Sequence, residues 1–168
     1  WNRYVLQQVA ELLAAGEQFD AVLTSSPPHS TQLIGRELKR RYGLRWLADM
    51  RDPWTDIYYY PELQHTPPAR WLDAHYERQV LLEADAVLVT SPNTKRLLLG
   101  KSPQLAADKF HVLPNGYDED DFRAPSMPPT DALLITHTGT ITETYHIELL
   151  LAALAECQRR HPDVPLRL

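Results

Sequence analysis

The chain has one cysteine, two methionines and six glycines in 168 residues. The single Cys157 excludes an internal disulfide and any zinc site built on several cysteines. It falls within a helical pattern, as a packed or idle thiol, and a reducing cytosol is its natural compartment. No apolar stretch approaches the ~20 residues needed to cross a bilayer. Nothing at the N-terminus resembles a secretory signal. The chain opens on Trp1 rather than Met and is already in helical phase there, so further sequence is expected in front of it. Positive charge is also short: the net charge is −5 and there is no long basic run. Binding to nucleic acid needs clustered Lys and Arg against the phosphates, so a general nucleic-acid binder is not expected. The one basic cluster, Arg36 to Arg41, alternates with apolar positions and reads as the wet face of a helix. His65, His75, His111, His137, His146 and His161 show no metal-ligand spacing, and no metal site is expected. A phosphate loop of the Gly-x-x-x-x-Gly-Lys type is missing as well.

What is present is the balance of an ordinary globular protein, 43% hydrophobic and 23% charged. Val5, Leu6, Val9, Leu12 and Leu13 recur at helical spacing, with Gly16 as a stop. Asp20 to Thr24 reads as a short buried strand running into Ser25-Ser26-Pro27-Pro28. A helix is predicted from about Ser30 to Tyr42, closed by Gly43. Leu44 to Ala48 is the next strand, and a loop rich in Tyr and Pro follows over 49–68. Long loops in compact domains are usually functional or mobile. Helical periodicity returns from Trp71 to Glu83 through Leu72, Tyr76, Val80 and Leu81. Asp85 to Thr90 is a strand, Ser91 or Asn93 caps a short helix carrying Leu97 and Leu98, and Phe110 to Leu113 is another strand. Residues 117–131 are acidic, then Pro-rich, and mark a linker. Beyond it, Leu133 to Thr136 reads as a strand, Ile147 to Arg160 as a helix, and a last strand begins near Val164.

Short apolar strands alternating with helices predict an α/β protein, a doubly wound parallel sheet with helices on both faces. The composition shift divides it into 1–125 and 126–168. The second part is too short for a core of its own.

Asp49-Met-Arg-Asp-Pro-Trp54 is the most informative segment. Two carboxylates, a guanidinium and an indole fall where a strand runs out, and open α/β sheets bind ligands outside the carboxyl ends of their strands. Asp49 or Asp52 could accept hydrogen bonds from ligand hydroxyls, Arg51 could pair with a phosphate, and Trp54 could stack on a ring. The alternative is an Arg–Asp pair bracing the loop, with Trp54 filling a core gap. Ser25-Ser26-Pro27-Pro28-His29 ends the preceding strand and should lie beside this segment if the strands are neighbours. His29 could serve as a base or a substrate contact, or as a helix-start residue with a local hydrogen bond. Tyr58, Tyr59 and Tyr60 could cover a bound ligand, or form an ordinary surface loop.

Five segments in series resemble the nucleotide-sugar glycosyltransferases of family 4 with the GT-B fold. They are Asp20-Ala-Val-Leu-Thr-Ser-Ser-Pro-Pro28, Asp49-Met-Arg-Asp-Pro-Trp54, Asp85-Ala-Val-Leu-Val-Thr-Ser91, His111-Val-Leu-Pro-Asn-Gly-Tyr-Asp118 and Thr136-His-Thr-Gly-Thr-Ile141. The resemblance covers nearly the whole chain in order. It implies a Rossmann-like N-terminal domain for the acceptor, here incomplete, plus the start of a C-terminal donor-binding domain. The family's first glycine-rich turn and its later glutamate-bearing motif have no counterpart, so the chain resembles a fragment of a larger enzyme, inactive alone.

By this resemblance the parent transfers a sugar from a nucleotide-sugar donor to a glycan or lipid-linked acceptor, with retention. The nucleotide sugar is a substrate, and no cofactor is implied. The expected setting is the cytoplasm, with peripheral association at the inner membrane face when the acceptor is lipid-linked. The implied substrate-binding residues are Ser26, Asp49, Arg51, Asp52 and Trp54. Arg51, Asp52 and His29 are the catalytic candidates, and Gly139 and Thr140 are the donor-phosphate contacts, with a plain strand-to-helix turn as the alternative at Gly139. Asn115-Gly116 resembles the hinge-proximal turn. Another GT-B enzyme, such as a nucleotide-sugar epimerase, and a non-catalytic sugar-binding or docking domain remain the alternatives.

Overall fold

The computed structural model describes residues 1–122, 131–139, 141 and 145–167. The chain forms two compact units, Trp1–Gly116 and Tyr117–Leu168. The boundary expected at 125/126 lies outside the described residues.

The first unit alternates helix and strand: α1 (Asn2–Ala14), β1 (Ala21–Ser26), α2 (Gln32–Tyr42), β2 (Arg45–Met50), α3 (Pro67–Glu83), β3 (Ala86–Val89), α4 (Pro92–Leu99) and β4 (Phe110–Val112). The strands form one four-stranded parallel sheet in the order β1-β2-β3-β4. This is the Rossmann-like α/β arrangement that the alternation predicts.

Several boundaries moved, each for a local reason. β1 and β2 run two residues beyond their apolar stretches, so Ser25 pairs with Asp49 and Ser26 with Met50 in register. Ladder hydrogen bonds come from the backbone, so a polar strand end continues the sheet as well as an apolar one. Asp49 and Met50 are therefore strand residues rather than the start of the loop. α3 begins at Pro67, four residues before Trp71. Proline lacks only an N–H that the first helical turn leaves unpaired anyway. α2 stops at Gly43, whose φ of +69° is the left-handed cap. Of the two candidates for capping α4, Ser91 does so, its Oγ accepting from the Thr94 N–H.

Burial in the sheet is one-sided. Trp46, Ala48, Met50, Val87 and Val89 are buried with Val80 and Leu81 of α3, Leu98 of α4 and Phe110, while Leu33 of α2 packs at the margin. On the other face Leu23 is 60% exposed. Right-handed crossovers in a monotonic strand order place the helices joining these strands on one side, not on both faces as the alternation alone suggested. In α3 the core begins at Tyr76; Trp71 and Leu72 are exposed.

The basic face of α2 is partly a clamp. Glu83 at the end of α3 is held by Arg36 at 2.9 Å and Arg40 at 2.8 Å, and Lys39 pairs with Asp85 at 2.6 Å. Asp85 also accepts from the Trp46 N–H at 2.8 Å. Its carboxyl pKa is lowered: burial works against this, but the hydrogen bonds from Lys39 and Trp46 and the charge of Lys39 outweigh it.

The second unit contains β5 (Leu133–Leu134), α5 (Ile147–Arg160) and β6 (Leu166–Arg167), with β5 and β6 parallel. Leu149, Leu150 and Leu151 of α5 are exposed, and so is Cys157. No helix among the described residues is long and apolar enough to cross a membrane.

Candidate functional site

The carboxyl ends of β1 and β2 bring the two predicted loops together, as neighbouring parallel strands require. Ser25 Oγ donates to Asp49 Oδ2 at 2.7 Å across the strand pair. Ser26 is buried, and its hydroxyl is committed to the Asp49 carbonyl at 3.2 Å. Beside them, Gln32 at the first turn of α2 is fully buried and fully used. Its Nε2 donates to the carbonyls of Asp49 at 2.9 Å and Thr24 at 3.3 Å, and its Oε1 accepts from Thr24 Oγ1 at 2.5 Å. Thr24 Oγ1 in turn accepts from the Trp46 indole N–H at 2.7 Å. A buried network with every member satisfied rigidifies what it supports. Here it supports the strand end that carries Asp49.

Arg51 and Asp52 are exposed beyond β2. Arg51 makes no carboxylate ion pair among the described residues. It donates instead to Asn115 Oδ1 at 2.6 Å, and its own carbonyl accepts from Thr90 Oγ1 at 3.1 Å. The ends of β2, β3 and β4 are thereby tied around an exposed guanidinium. Asn115 is the Asn of the expected turn, and it gains a specific partner.

Trp54 is only 7% exposed. It stacks on His29, with ring centroids 5.5 Å apart and 17° between planes, and on Tyr76 at 6.3 Å. Little of the indole is left for a sugar to stack on, so Trp54 acts as a wall. Its backbone N–H donates to Glu77 Oε1 at 2.9 Å. Glu77, 1% exposed, also takes the Thr55 hydroxyl at 2.6 Å and Lys101 Nζ at 2.7 Å. Lys101 reaches the Asp56 carboxylate too. Burial alone would lower the Lys101 pKa, but hydrogen bonds to Asp56 and Glu77 outweigh it and hold the group above the usual lysine value. The loop after β2 is thus fastened to α3 by a buried carboxylate.

His29 is the least satisfied polar side chain here: both ring nitrogens are buried and neither has a partner. Burial lowers its pKa below the usual 6.5, against the opposing pull of Glu77, Asp52 and Asp73. The ring is therefore neutral at pH 7, able both to accept and to donate one hydrogen bond. It lines a cavity of about 310 Å³ with Pro28, Trp54, Tyr59, Tyr60 and Asp73. Tyr60 donates to Asp73 Oδ2 at 2.8 Å. Burial, then the Asp73 carboxylate, pushes the Tyr60 phenol up to about 12. His65 Nδ1 lies 3.2 Å from the same Asp73 oxygen, without hydrogen-bond alignment.

In the second unit Gly139 has φ +134°, a conformation suited to glycine. Thr140 lies outside the described residues. α5, the first helix described after Gly139, begins at Ile147. Among the described residues no three His, Cys, Asp or Glu side chains gather as a metal site.

The sequence reading missed Gln32, Asp73, Glu77 and Lys101. Glu77 left a trace: it sits in phase with Val80 and Leu81, a carboxylate on the apolar stripe of its helix. Gln32 and Lys101 left none, because their importance depends on partners in other elements.

Residues 3–116 match the family model described as the glycosyl transferase 4-like domain, a span that coincides with the first compact unit. No curated protein matches the chain. With two thirds of its length under that match, and a parallel α/β sheet with a polar edge at its strand ends, the chain belongs to the glycosyl transferase 4-like family.

Proposed function

We propose that the chain serves a glycosyltransferase that moves a sugar from a nucleotide-sugar donor onto a glycan or lipid-linked acceptor with retention, and that the first unit holds the acceptor. The observation that carries this reading is the cavity past the carboxyl end of β1, with the neutral, unpartnered His29 in its wall. In this reading Asp49 and Asp52 accept hydrogen bonds from sugar hydroxyls, and Arg51 meets negative charge on the donor or acceptor. Trp54 holds His29 in place. Gly139 and Thr140 contact the donor phosphates through the backbone. Ser26 contributes by fixing the Asp49 backbone rather than by touching the substrate. A retaining enzyme of this kind needs no strong side-chain base, which agrees with a histidine whose pKa is lowered rather than raised. No resident cofactor enters this reading. It places the protein in the cytoplasm, at the inner membrane face when the acceptor is lipid-linked.

The test is to incubate the full-length protein with a panel of radiolabelled nucleotide sugars, with and without membrane lipid and glycan acceptors. Transfer of label with retained anomeric configuration is the expected result. Absence of both transfer and donor hydrolysis across the panel would reject the reading, and epimer formation without an acceptor would replace it with an epimerase.

A further inference from the structure

The cavity at His29 has a chemical character that the family assignment does not specify. Its volume, about 310 Å³, lies at the small end of ligand pockets and suits a single ring rather than an extended chain. Its walls are largely apolar and aromatic: Pro27, Pro28, Ile57, Leu63 and the rings of Tyr59 and Tyr60. Its polar groups are few and convergent. Asp73 offers a carboxylate that already takes the Tyr60 hydroxyl, His29 has two ring nitrogens without partners, and His65 lines the cavity with an unpartnered Nδ1 3.2 Å from Asp73. Buried polar atoms left unpaired are costly, so a built pocket that contains them calls for a ligand rich in hydroxyls.

The charge around the cavity is equally specific. Among the described residues no Lys or Arg lines it. Lys101, half-buried behind the loop, is occupied by Glu77 and Asp56. Arg51 is bonded to Asn115 at the sheet edge. Arg70 acts on Tyr60 only from a distance and is opposed by Asp73 and Glu77. The field at His29 comes from Glu77, Asp52 and Asp73, all acidic. A phosphate or carboxylate entering here would meet Asp73 with no Lys or Arg beside it among the described residues, and His65 is the basic side chain facing that carboxylate.

We propose that this cavity is the subsite for an uncharged sugar ring of the acceptor, with Asp73 and His29 reading its hydroxyls, and that it rejects acidic sugars. The inference rests on the glycosyltransferase reading for the word acceptor, but binding can be measured without any transfer. The full-length protein, free of nucleotide, is titrated by NMR with neutral methyl hexosides of gluco, galacto and manno configuration. The matching methyl hexuronosides and inorganic phosphate are titrated alongside.

At least one neutral hexoside should bind, about tenfold or more tighter than its hexuronoside, a difference that corresponds to one well-placed hydrogen bond or charge. Asp73→Asn should narrow that gap. His29→Phe keeps the ring against Trp54 and removes the unpartnered nitrogens. It should therefore leave thermal stability equal or higher while weakening hexoside binding about tenfold, a split that a purely structural histidine would not produce. No binding by any neutral hexoside, equal binding of the hexuronoside, or unchanged binding in His29→Phe would each overturn the subsite. Transfer activity without hexoside binding would sink the subsite and spare the transferase reading. Hexoside binding without transfer would do the reverse.

Discussion

Glu77 and Lys101 are joined at 2.7 Å inside the first unit, where Glu77 is 1% exposed. The pair does more than cancel charge. Through Glu77 it also holds the Trp54 N–H and the Thr55 hydroxyl, and so fixes the path of the loop that follows Asp49. Removing Glu77 leaves Lys101 only Asp56 and strips the buried Trp54 N–H and the Thr55 hydroxyl of their acceptor. Glu77→Ala should destabilise the first unit by about 3–5 kcal/mol. Urea unfolding followed by tryptophan fluorescence would measure it, and a loss below about 1 kcal/mol would show that water replaces the carboxylate.

The same pair sets a limit at high pH. The folded-state pKa of Lys101 is raised above its ordinary value of 10.5. Its contribution is therefore complete below about pH 10.5 and is lost as pH rises through the higher folded value. Unfolding midpoints of the wild type should fall over that alkaline range more than those of Lys101→Met. Parallel curves would remove Lys101 as the cause.

At acid pH Glu83 is one contributor, beside Asp85. Burial would raise its pKa, but the hydrogen bonds and charges of Arg36 and Arg40 dominate and lower it from 4.5. The stabilisation is present above pH 4.5 and disappears as pH falls through the folded-state value. Glu83→Gln should cost about 1 kcal/mol at neutral pH and show a shallower acid decline. Denaturant titrations between neutral and acid pH would reveal it.

Gly35 faces the indole of Trp46 with no room for a methyl group: a Cβ there would fall inside the ring system. Trp46 cannot withdraw, because its indole N–H is bonded to Thr24 within the network that supports Asp49. Gly35→Ala should therefore destabilise by about 1–3 kcal/mol through overpacking, despite the better helix propensity of alanine. A neutral or stabilising result by calorimetry would mean that α2 and β2 can separate at little cost.

Arg51 should behave in the opposite way. It is exposed and bonded to Asn115, so Arg51→Ala should change stability by less than about 0.5 kcal/mol. If it meets substrate charge, the same change should reduce kcat/KM about a hundredfold, with Arg51→Lys recovering little because a bidentate contact needs the guanidinium fork. Full activity in the alanine variant would remove Arg51 from the site.

The helices were readable because their signals are local. α5 spans Ile147–Arg160 as its periodicity predicts, and Gly43 ends α2 in the left-handed conformation expected of it. The strand ends were not readable. Ser25, Ser26 and Asp49 look like loop residues, yet the backbone ladder carries on through them. The start of α3 was hidden by Pro67 and Pro68, which first-turn geometry accepts.

Sequence alone determined the α/β alternation, the parallel sheet, the sign of the charge and the two segments, 25–29 and 49–54, in which the candidate site lies. All of these follow from periodicity, composition and chain order. Only the tertiary structure decided which polar groups at that edge are spent and which are free. Ser26 and Trp54, both candidates by pattern, are buried in the support, while His29 keeps two unpartnered nitrogens in a cavity. That distinction depends on partners far along the chain, such as Glu77 for Trp54 and Asp49 for Ser26. A hydrogen-bonding group has no fixed role until the fold has brought its partner within reach.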